Sequence, residues 1–373
     1  MKKRSLISVL ATATLASLLV TGCSSTEAPH AAVYVDESQA ATQEAGAAQT
    51  LSVIPDLEDL VEPELPEPVV PEKKADEEKP AEKTGDAPDP GQTEPPSAAD
   101  RPESAETDED PDHLEILFLG DSQYANARGT DTAIPEFIDV MIDKNCTIYN
   151  LAIGGSAAAL GPDERYMSDD AWTSASFYGM ARLLNGHVPV SFLETYYPDL
   201  VPVFNRIDPK KLDYIIVDYG VNDFFNVTQI YDDEDTGDLS DFVAAYRESL
   251  GQLREAAPQA KILCCTPVYS QFFGKDGAYL GDGNILSNGY GALTDYVSAI
   301  DVNYRLESNT VYVDMYRGNR IDLDPYTAEE YLEDGVHLTE RGRRAYAAAL
   351  AQLINKDQGT QTTEYQIVRI ADY

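Results

Sequence analysis

The sequence predicts an α/β fold in which helices cover both faces of a parallel β-sheet. After about residue 113, five short runs rich in Ile, Leu, Val and Tyr alternate with segments whose apolar residues recur at helical spacing. The runs are nearly continuous in hydrophobicity, which is typical of strands buried on both faces. The predicted strands cover residues 114–119, 147–153, 212–219, 261–266 and 310–315, and the predicted helices cover 134–144, 239–256, 290–306 and 339–354.

A long polar segment precedes this pattern. Residues 23–112 are rich in Pro, Glu, Ala and Asp and lack the periodic apolar positions of a core, so we expect a disordered spacer. About 25 acidic and about 5 basic side chains in 24–112 account for roughly half of the formal net charge of −38. We assign the folded domain to residues 113–355 and a tail to 356–373, in which 365–370 suggest an added edge strand.

The N-terminus has the features of a targeting signal, assigned to residues 1–22. Three basic residues precede about 15 apolar ones, too few to span a bilayer comfortably, and a Val-Thr-Gly-Cys sequence ends at Cys23. The pattern resembles the bacterial lipoprotein signal peptide, which implies cleavage before Cys23 and attachment of a diacylglycerol to its sulfur. The protein would then be lipid-anchored to the cell membrane and face outside the cytoplasm. An ordinary secretory peptide, or a short anchor with an incidental cysteine, is the alternative.

Charge and cysteine usage limit the partners and cofactors. The strong negative charge argues against nucleic acid, because phosphate binding needs clustered Lys and Arg. Cys264 and Cys265 lie in the apolar run 261–268, and a bond between adjacent cysteines would strain the chain, so we expect buried, unreactive thiols. Metal-ligand spacing and phosphate-binding glycine loops are absent from the sequence. We therefore expect neither a metal nor a cofactor.

Polar residues follow the predicted strands where each strand ends. Gly120-Asp121-Ser122 follows the first strand, residues 150–156 end the second, and Gly220-Val221-Asn222-Asp223 follows the third. Parallel strands with right-handed crossovers bring these three loops to one edge of the sheet. Asp334-Gly335-Val336-His337 lies just before the last predicted helix, on a loop that can return to that edge.

These segments contain the groups that acyl transfer through a serine requires. Ser122 supplies a hydroxyl nucleophile, His337 a base for its proton, and Asp334 an acid to orient that base. The backbone N–H groups of Ser122 and Gly155 and the side-chain amide of Asn222 are candidate donors to the oxyanion of the tetrahedral intermediate. The sequence therefore predicts a catalytic triad and an oxyanion hole at one edge of the sheet.

The same segments resemble the motif blocks of the SGNH hydrolases, also called GDSL esterases, over most of residues 113–355. The resemblance implies that Ser122 is the nucleophile, that Gly155 and Asn222 are oxyanion donors, and that Asp334 and His337 complete the triad. It also implies a flavodoxin-like, three-layer α/β/α sandwich with a five-stranded parallel sheet. Gln123 is a departure, because lipase-like members have leucine there, and this argues against a lipase.

The expected function is that of a lipid-anchored serine esterase acting outside the cytoplasm. Its substrates would be acylated small molecules or glycans that carry short acyl groups such as acetyl, for example cell-envelope or dietary carbohydrates. No obligate protein partner is indicated. An O-acyltransferase with the same triad and a non-catalytic surface binding protein are the alternatives. Two aromatic-rich stretches, 156–211 and 267–288, are candidate walls of a substrate pocket.

Overall fold

The computed structural model describes residues 52–53, 112–232 and 234–373. The predicted signal peptide, Cys23 and nearly all of the predicted spacer lie outside these residues. The strand Ser52–Val53 pairs in parallel with Leu286–Ser287. Within the part of the chain that the structure describes, no helix is both long and apolar enough to cross a bilayer.

A five-stranded parallel sheet forms the centre of the structure. Its strands are β1 (Leu114–Gly120), β2 (Cys146–Asn150), β3 (Tyr214–Asp218), β4 (Lys261–Cys265) and β5 (Thr310–Val313). They are hydrogen-bonded in the order β2-β1-β3-β4-β5, and each neighbouring pair is parallel. Every residue of the central strand β3 is buried, as expected for a strand covered on both faces.

Helices form the two outer layers. They are α1 (Ser122–Ala125), α2 (Ile134–Met141), α3 (Phe177–Leu184), α4 (Ser191–Tyr196), α5 (Val201–Phe204), α6 (Val221–Phe225), α7 (Phe242–Ala256), α8 (Leu293–Asn303), α9 (Ala328–Tyr331) and α10 (Glu340–Asp357). Helix α2 packs against α10, whereas α7 packs against α3 and α8. The predicted sandwich of helices around a five-stranded parallel sheet is confirmed.

Local side-chain caps set the helix limits that apolar periodicity leaves open. The predicted helix 239–256 begins only at Phe242, because the Asp241 carboxylate accepts the N–H of Ala244 and caps the first turn. Thr339 caps α10, with its hydroxyl accepting the N–H of Gly342. Hydrophobic periodicity thus locates a helix, and the capping residue determines where it begins.

The predicted edge strand at 365–370 is wrong. In this segment the structure has one isolated bridge, between Ile321 and Val368, and a 3₁₀ turn at Ile370–Asp372. Val368 and Ile370 are buried whereas Tyr365 and Ile367 are exposed, so the segment covers apolar surface without joining the sheet. Alternating hydrophobicity reports which side chains are buried, but strand formation also needs a neighbouring strand with open hydrogen-bonding groups.

The order of the strands creates a crevice. From β1 the chain moves to β2 on one side and then returns to β3 on the other, so β1 lies between them. Loops that leave the carboxyl ends of β1 and β3 therefore diverge, and a crevice for a ligand opens at this reversal. The segments that begin at Asp121 and Val221 leave the sheet at these two strand ends.

Candidate active site

The nucleophile candidate lies in a tight turn at the end of β1. Asp121 caps the short helix α1, its Oδ1 accepting the N–H of Gln123 at 2.9 Å, and Ser122 is the first helical residue. Gly120 must be glycine here, since a Cβ would lie 2.9 Å from the carbonyl oxygen of Asp218 and 2.8 Å from the ring of Tyr124. The turn therefore fixes Ser122 at the carboxyl edge of the sheet.

Ser122, His337 and Asp334 form a continuous chain of hydrogen-bonding groups. Ser122 Oγ lies 2.8 Å from His337 Nε2, and His337 Nδ1 lies 2.6 Å from Asp334 Oδ2. Ser122 and His337 are each 4% exposed, so solvent competes little for these bonds. The structure thus brings together the three side chains that the sequence singled out, in the order in which a serine, a base and an orienting acid must act.

The loop that carries His337 is held by Asp334 and by a neighbouring hairpin. Asp334 Oδ1 accepts the N–H groups of Val336 and His337 at 2.9 and 2.7 Å. Gly335 has φ +92°, and a Cβ there would lie 2.3 Å from the carbonyl oxygen of Gln271 in the hairpin formed by Gln271–Phe273 and Tyr279–Asp282. One carboxylate therefore shapes the turn with one oxygen and orients the imidazole with the other.

Charges around His337 set the protonation of the imidazole. Burial disfavours the imidazolium, but the hydrogen bond and charge of Asp334, with the charges of Asp121 and Glu333, outweigh burial and raise the pKa of His337 above 6.5. Burial alone would raise the pKa of Asp334, but the hydrogen bonds from His337 and Val336, with the charge of His337, outweigh burial and lower this pKa. Asp334 therefore stays ionised while His337 gains or loses its proton.

We expect kcat/KM for ester hydrolysis to fall as the pH decreases through the pKa of His337. Only neutral imidazole accepts the Ser122 proton, and the raised pKa moves this loss of activity above pH 6.5. The measurement is the pH dependence of kcat/KM for an aryl acetate, with protein folding monitored by circular dichroism at each pH. An acid limb with its midpoint below 6.5 in folded protein would contradict the electrostatics.

Gly155 and Asn222, the candidate oxyanion donors outside α1, lie in segments that are hydrogen-bonded to the nucleophile turn, through Ser156 Oγ to Gly120 O and through Asn222 Nδ2 to Asp121 Oδ2. Gly155 has φ +77° in the turn closed by the hydrogen bond from Ser156 N to Ile153 O, a conformation that favours glycine. Asn222 Nδ2 donates to Asp121 Oδ2 and to Ser156 O, at 3.1 Å each. Asn222 thus joins the nucleophile turn to the glycine turn. Because both amide hydrogens already have acceptors, a substrate oxyanion must share or replace one of them.

Two buried carboxylates support this arrangement, and the sequence alone assigned them no such role. Asp121 accepts from Asn222, and burial raises its pKa to about 6. Asp223 accepts the N–H groups of Ala158 and Ala159 at 2.8 and 3.0 Å, and burial raises its pKa to about 6 as well. Both positions stand inside the motifs that contain Ser122 and Asn222, which was the available signal.

The aromatic residues of the two long connections mainly fill the core. Trp172, Phe177, Tyr269 and Phe272 are buried, and Phe177 stacks on Tyr219 at 4.6 Å between ring centroids. An exception lies beside the histidine loop, where the Phe273 ring contacts Gly335 and packs edge-on against Tyr279, which is 53% exposed. In the stretch 267–288, exposed aromatic surface lies at this edge of the hairpin, and in the stretch 156–211 Tyr166 and Tyr196 are exposed as well.

Two of the cysteines are buried, as the sequence predicted. Cys264 and Cys265 are free and buried, and burial raises the pKa of Cys264 to about 12. Thiols with raised pKa values in an apolar environment are poor nucleophiles. Among the described residues, no group of three or more His, Cys, Asp or Glu side chains is arranged to hold a metal ion.

A parallel sheet with a serine, a histidine and an aspartate linked at its carboxyl edge defines a class of α/β serine hydrolases. Residues 116–350 match the family described as GDSL-like Lipase/Acylhydrolase, and the chain belongs to this family. The protein is an enzyme that hydrolyses ester bonds. No protein with a curated function matches the sequence.

Several solved structures are similar to this chain. A protein from Lactobacillus plantarum is 21% identical, with a TM-score of 0.45 over 65% of this chain and 97% of the other. A carbohydrate acetylesterase family member from Sinorhizobium meliloti is 15% identical, with a TM-score of 0.39 over 66% and 99%. A family two carbohydrate esterase from Clostridium thermocellum is 17% identical, with a TM-score of 0.37 over 66% and 65%.

Proposed function

We propose that this protein is a serine esterase that removes short ester-linked acyl groups through an acyl-enzyme. The observation that carries the proposal is the hydrogen-bonded chain from Ser122 through His337 to Asp334. In the proposed roles, Ser122 is the nucleophile, His337 the general base and then the general acid, and Asp334 the group that orients the imidazole. The N–H groups of Ser122 and Gly155 and the amide of Asn222 stabilise the oxyanion.

Two displacement steps complete the proposed reaction. Ser122 Oγ attacks the ester carbonyl carbon while its proton passes to His337 Nε2, and the carbonyl oxygen becomes the oxyanion. When the intermediate collapses, the ester C–O bond breaks, the leaving alcohol takes the proton from His337, and the acyl group remains on Ser122. Water then attacks this acyl group, gives a proton to His337, and releases the free acid when Ser122 Oγ regains that proton.

The proposed substrate class is a short-chain ester of a carbohydrate, with the acyl group bound close to Ser122. Ser122 is only 4% exposed, which supports a small acyl group. Phe273 lies against the histidine loop and the exposed Tyr279 packs on Phe273, where aromatic rings can contact the alcohol portion of the substrate. Stacking on such rings suits the apolar faces of sugars.

A substrate screen tests this proposal. Purified protein would be treated with a fluorophosphonate probe and then assayed with aryl esters of increasing acyl length and with acetylated glycans. We expect labelling, and turnover that is highest for acetyl and falls with chain length. Absence of labelling together with absence of hydrolysis would refute the esterase proposal, whereas a preference for long acyl chains would refute only the substrate class. Formation of an acylated sugar when an acceptor is added would assign the enzyme to acyl transfer.

We also propose that Cys23 carries a lipid that anchors the enzyme outside the cytoplasm. The support is the Val-Thr-Gly-Cys sequence after a short apolar stretch, followed by a segment of about 89 residues, rich in Pro, Glu and Ala, that can extend up to about 275 Å from the membrane. Two or more acyl chains would anchor the protein stably.

Replacement of Cys23 by alanine should abolish lipid labelling and either release the protein from membranes or block its maturation. The measurement combines metabolic labelling with a fatty-acid analogue and membrane fractionation. Cys146→Ala is a suitable control, since Cys146 is a free, partly buried cysteine of the folded domain. Unchanged membrane association of Cys23→Ala, with no lipid label on the wild type, would reject the anchor.

A further inference from the structure

Gln123 connects the nucleophile turn to the loop that carries the catalytic base. It follows Ser122 directly and is 3% exposed. Its Nε2 donates to the carbonyl oxygen of Val336 at 2.8 Å, across 213 residues of sequence. Val336 in turn precedes His337, so one side chain bridges the neighbour of the nucleophile and the neighbour of the base.

The orientation of the Gln123 amide follows from its surroundings. If the amide were reversed, its oxygen would face the Val336 carbonyl oxygen, and two acceptors would repel each other. With Nε2 in that place, Oε1 is buried and accepts no hydrogen bond from the described residues. A buried oxygen without a donor costs free energy of folding. An apolar side chain at this position would avoid that cost, but it could not donate to the Val336 carbonyl oxygen.

The peptide unit between Val336 and His337 is held at both of its polar ends. Its carbonyl oxygen accepts from Gln123 Nε2, and its N–H donates to Asp334 Oδ1 at 2.7 Å. Because a peptide unit is planar, two such bonds fix its rotation. They thereby fix the direction in which the His337 side chain leaves the backbone.

We propose that Gln123 is a positioning residue that keeps the His337 imidazole within hydrogen-bond reach of Ser122. This inference rests on the proposed esterase function, in which His337 takes the proton of Ser122. Leucine, the residue of lipase-like proteins at this place, has no donor for the Val336 carbonyl oxygen. The link from nucleophile to base is therefore a property of the glutamine in this chain.

The hairpin beside the histidine loop limits the size of the expected effect. Gln271 N donates to Gly335 O at 2.8 Å, so the loop remains attached to the hairpin when Gln123 is replaced. Asp334 also keeps its own bonds to the loop. Loss of the Gln123 bond should allow the imidazole to move without releasing the whole loop, and misplacement of a catalytic group by about 1 Å can cost roughly a hundredfold in rate.

Gln123→Met removes the donor while keeping an unbranched side chain of similar length. We expect kcat to fall by about 10- to 100-fold, with KM changed by less than about twofold, because Gln123 acts on the base and not on substrate binding. The second-order rate of labelling by a fluorophosphonate should fall in parallel, since it depends on the same Ser122–His337 pair.

Gln123→Glu replaces the donating amide by a carboxylate at almost unchanged volume. An ionised carboxylate would face the Val336 carbonyl oxygen and repel it, so above neutral pH this variant should be slower than Gln123→Met. The ionisable groups near this position are Asp121, Asp334, Glu333 and His337. If volume alone mattered, the glutamate variant would match the wild type.

Asn355→Leu is the matched control for both variants. Asn355 is also a buried carboxamide that ties two elements together, as Nδ2 donates to Met141 O at 3.1 Å and Oδ1 accepts from Asp143 N. It lies near the end of α10, where Asp357 contacts Lys261 at the amino end of β4, the opposite edge of the sheet from Ser122. Asn355→Leu should lower the melting temperature with little change in kcat.

Activity of the folded wild type tests the esterase proposal separately from this inference. With an active wild type, a kcat within about twofold of wild type in folded Gln123→Met would overturn the role of Gln123. A loss confined to KM, or an equal loss of kcat in Asn355→Leu, would overturn it as well. If Gln123→Glu does not fold, the comparison of Gln123→Met with Asn355→Leu is sufficient.

Discussion

Ser122→Ala should reduce kcat for ester hydrolysis by about 10⁶-fold, the size of the loss found when the nucleophilic serine of a comparable serine hydrolase is removed. The alanine leaves His337 without a hydroxyl to activate, and water is not held at the position of Ser122 Oγ. Residual turnover would come from the oxyanion donors acting on a bound ester. KM should change little, because the serine hydroxyl contributes mainly to the transition state.

The measurement is steady-state hydrolysis of an aryl acetate, with fluorophosphonate labelling as an independent readout. Ser249→Ala is the matched control, since Ser249 is fully buried but donates to Ala245 O within helix α7. The control should keep its activity and its label. Hydrolysis by Ser122→Ala at the rate of wild type would show that another residue is the nucleophile and would end the esterase proposal as stated.

Asp334→Asn should lower kcat by about 10³- to 10⁴-fold while leaving the loop folded. The asparagine oxygen can keep accepting the N–H groups of Val336 and His337, as Asp334 Oδ1 does. Its NH₂ group must then face His337 Nδ1, which has to act as an acceptor. In that tautomer the proton is on Nε2, so the imidazole cannot accept the proton of Ser122.

Asp314→Asn provides a close control for this substitution. Asp314 follows β5 and builds the same kind of turn, with Oδ1 accepting the N–H groups of Tyr316 and Arg317 at 3.1 and 3.0 Å. Its Oδ2 accepts from Asn319 and lies 3.6 Å from Arg317 Nη1, and it contacts no histidine within the described part of the chain. Activity should survive in this control. Equal losses in both variants would mean that Asp334 acts only by shaping its turn, and near-wild-type activity in Asp334→Asn would remove Asp334 from the mechanism.

The fold could be predicted from the sequence because the patterns that specify its strands and helices involve residues close in the chain. Each strand of the sheet is a short apolar run between polar segments, and the five predicted runs overlap the five observed strands, with amino ends that agree within two residues and carboxyl ends that agree within three. The prediction of a strand at 365–370 was wrong, because the alternating hydrophobicity there reflects burial against the domain and not pairing with a strand.

The candidate site could be predicted from the sequence for a related reason. In a parallel sheet, residues that follow successive strands must meet at one edge, so Ser122 and Asn222 could be placed together from strand ends alone. His337 needed more, because the loop before α10 does not follow a strand of the sheet directly. A short acidic-to-histidine spacing identified it, and Ser122 Oγ lies 2.8 Å from its Nε2.

The sequence by itself determined the parallel sheet, its helical layers and the chemical groups at its carboxyl edge, because periodicity, caps and strand ends involve residues close in the chain. Only the tertiary structure decided which polar groups of separate loops are hydrogen-bonded to each other. Asn222 gives both amide hydrogens to Asp121 and Ser156, and Gln123 reaches Val336 across 213 residues. Such pairs depend on how separate loops pack within a few ångströms of one another, and no pattern along the chain encodes that distance.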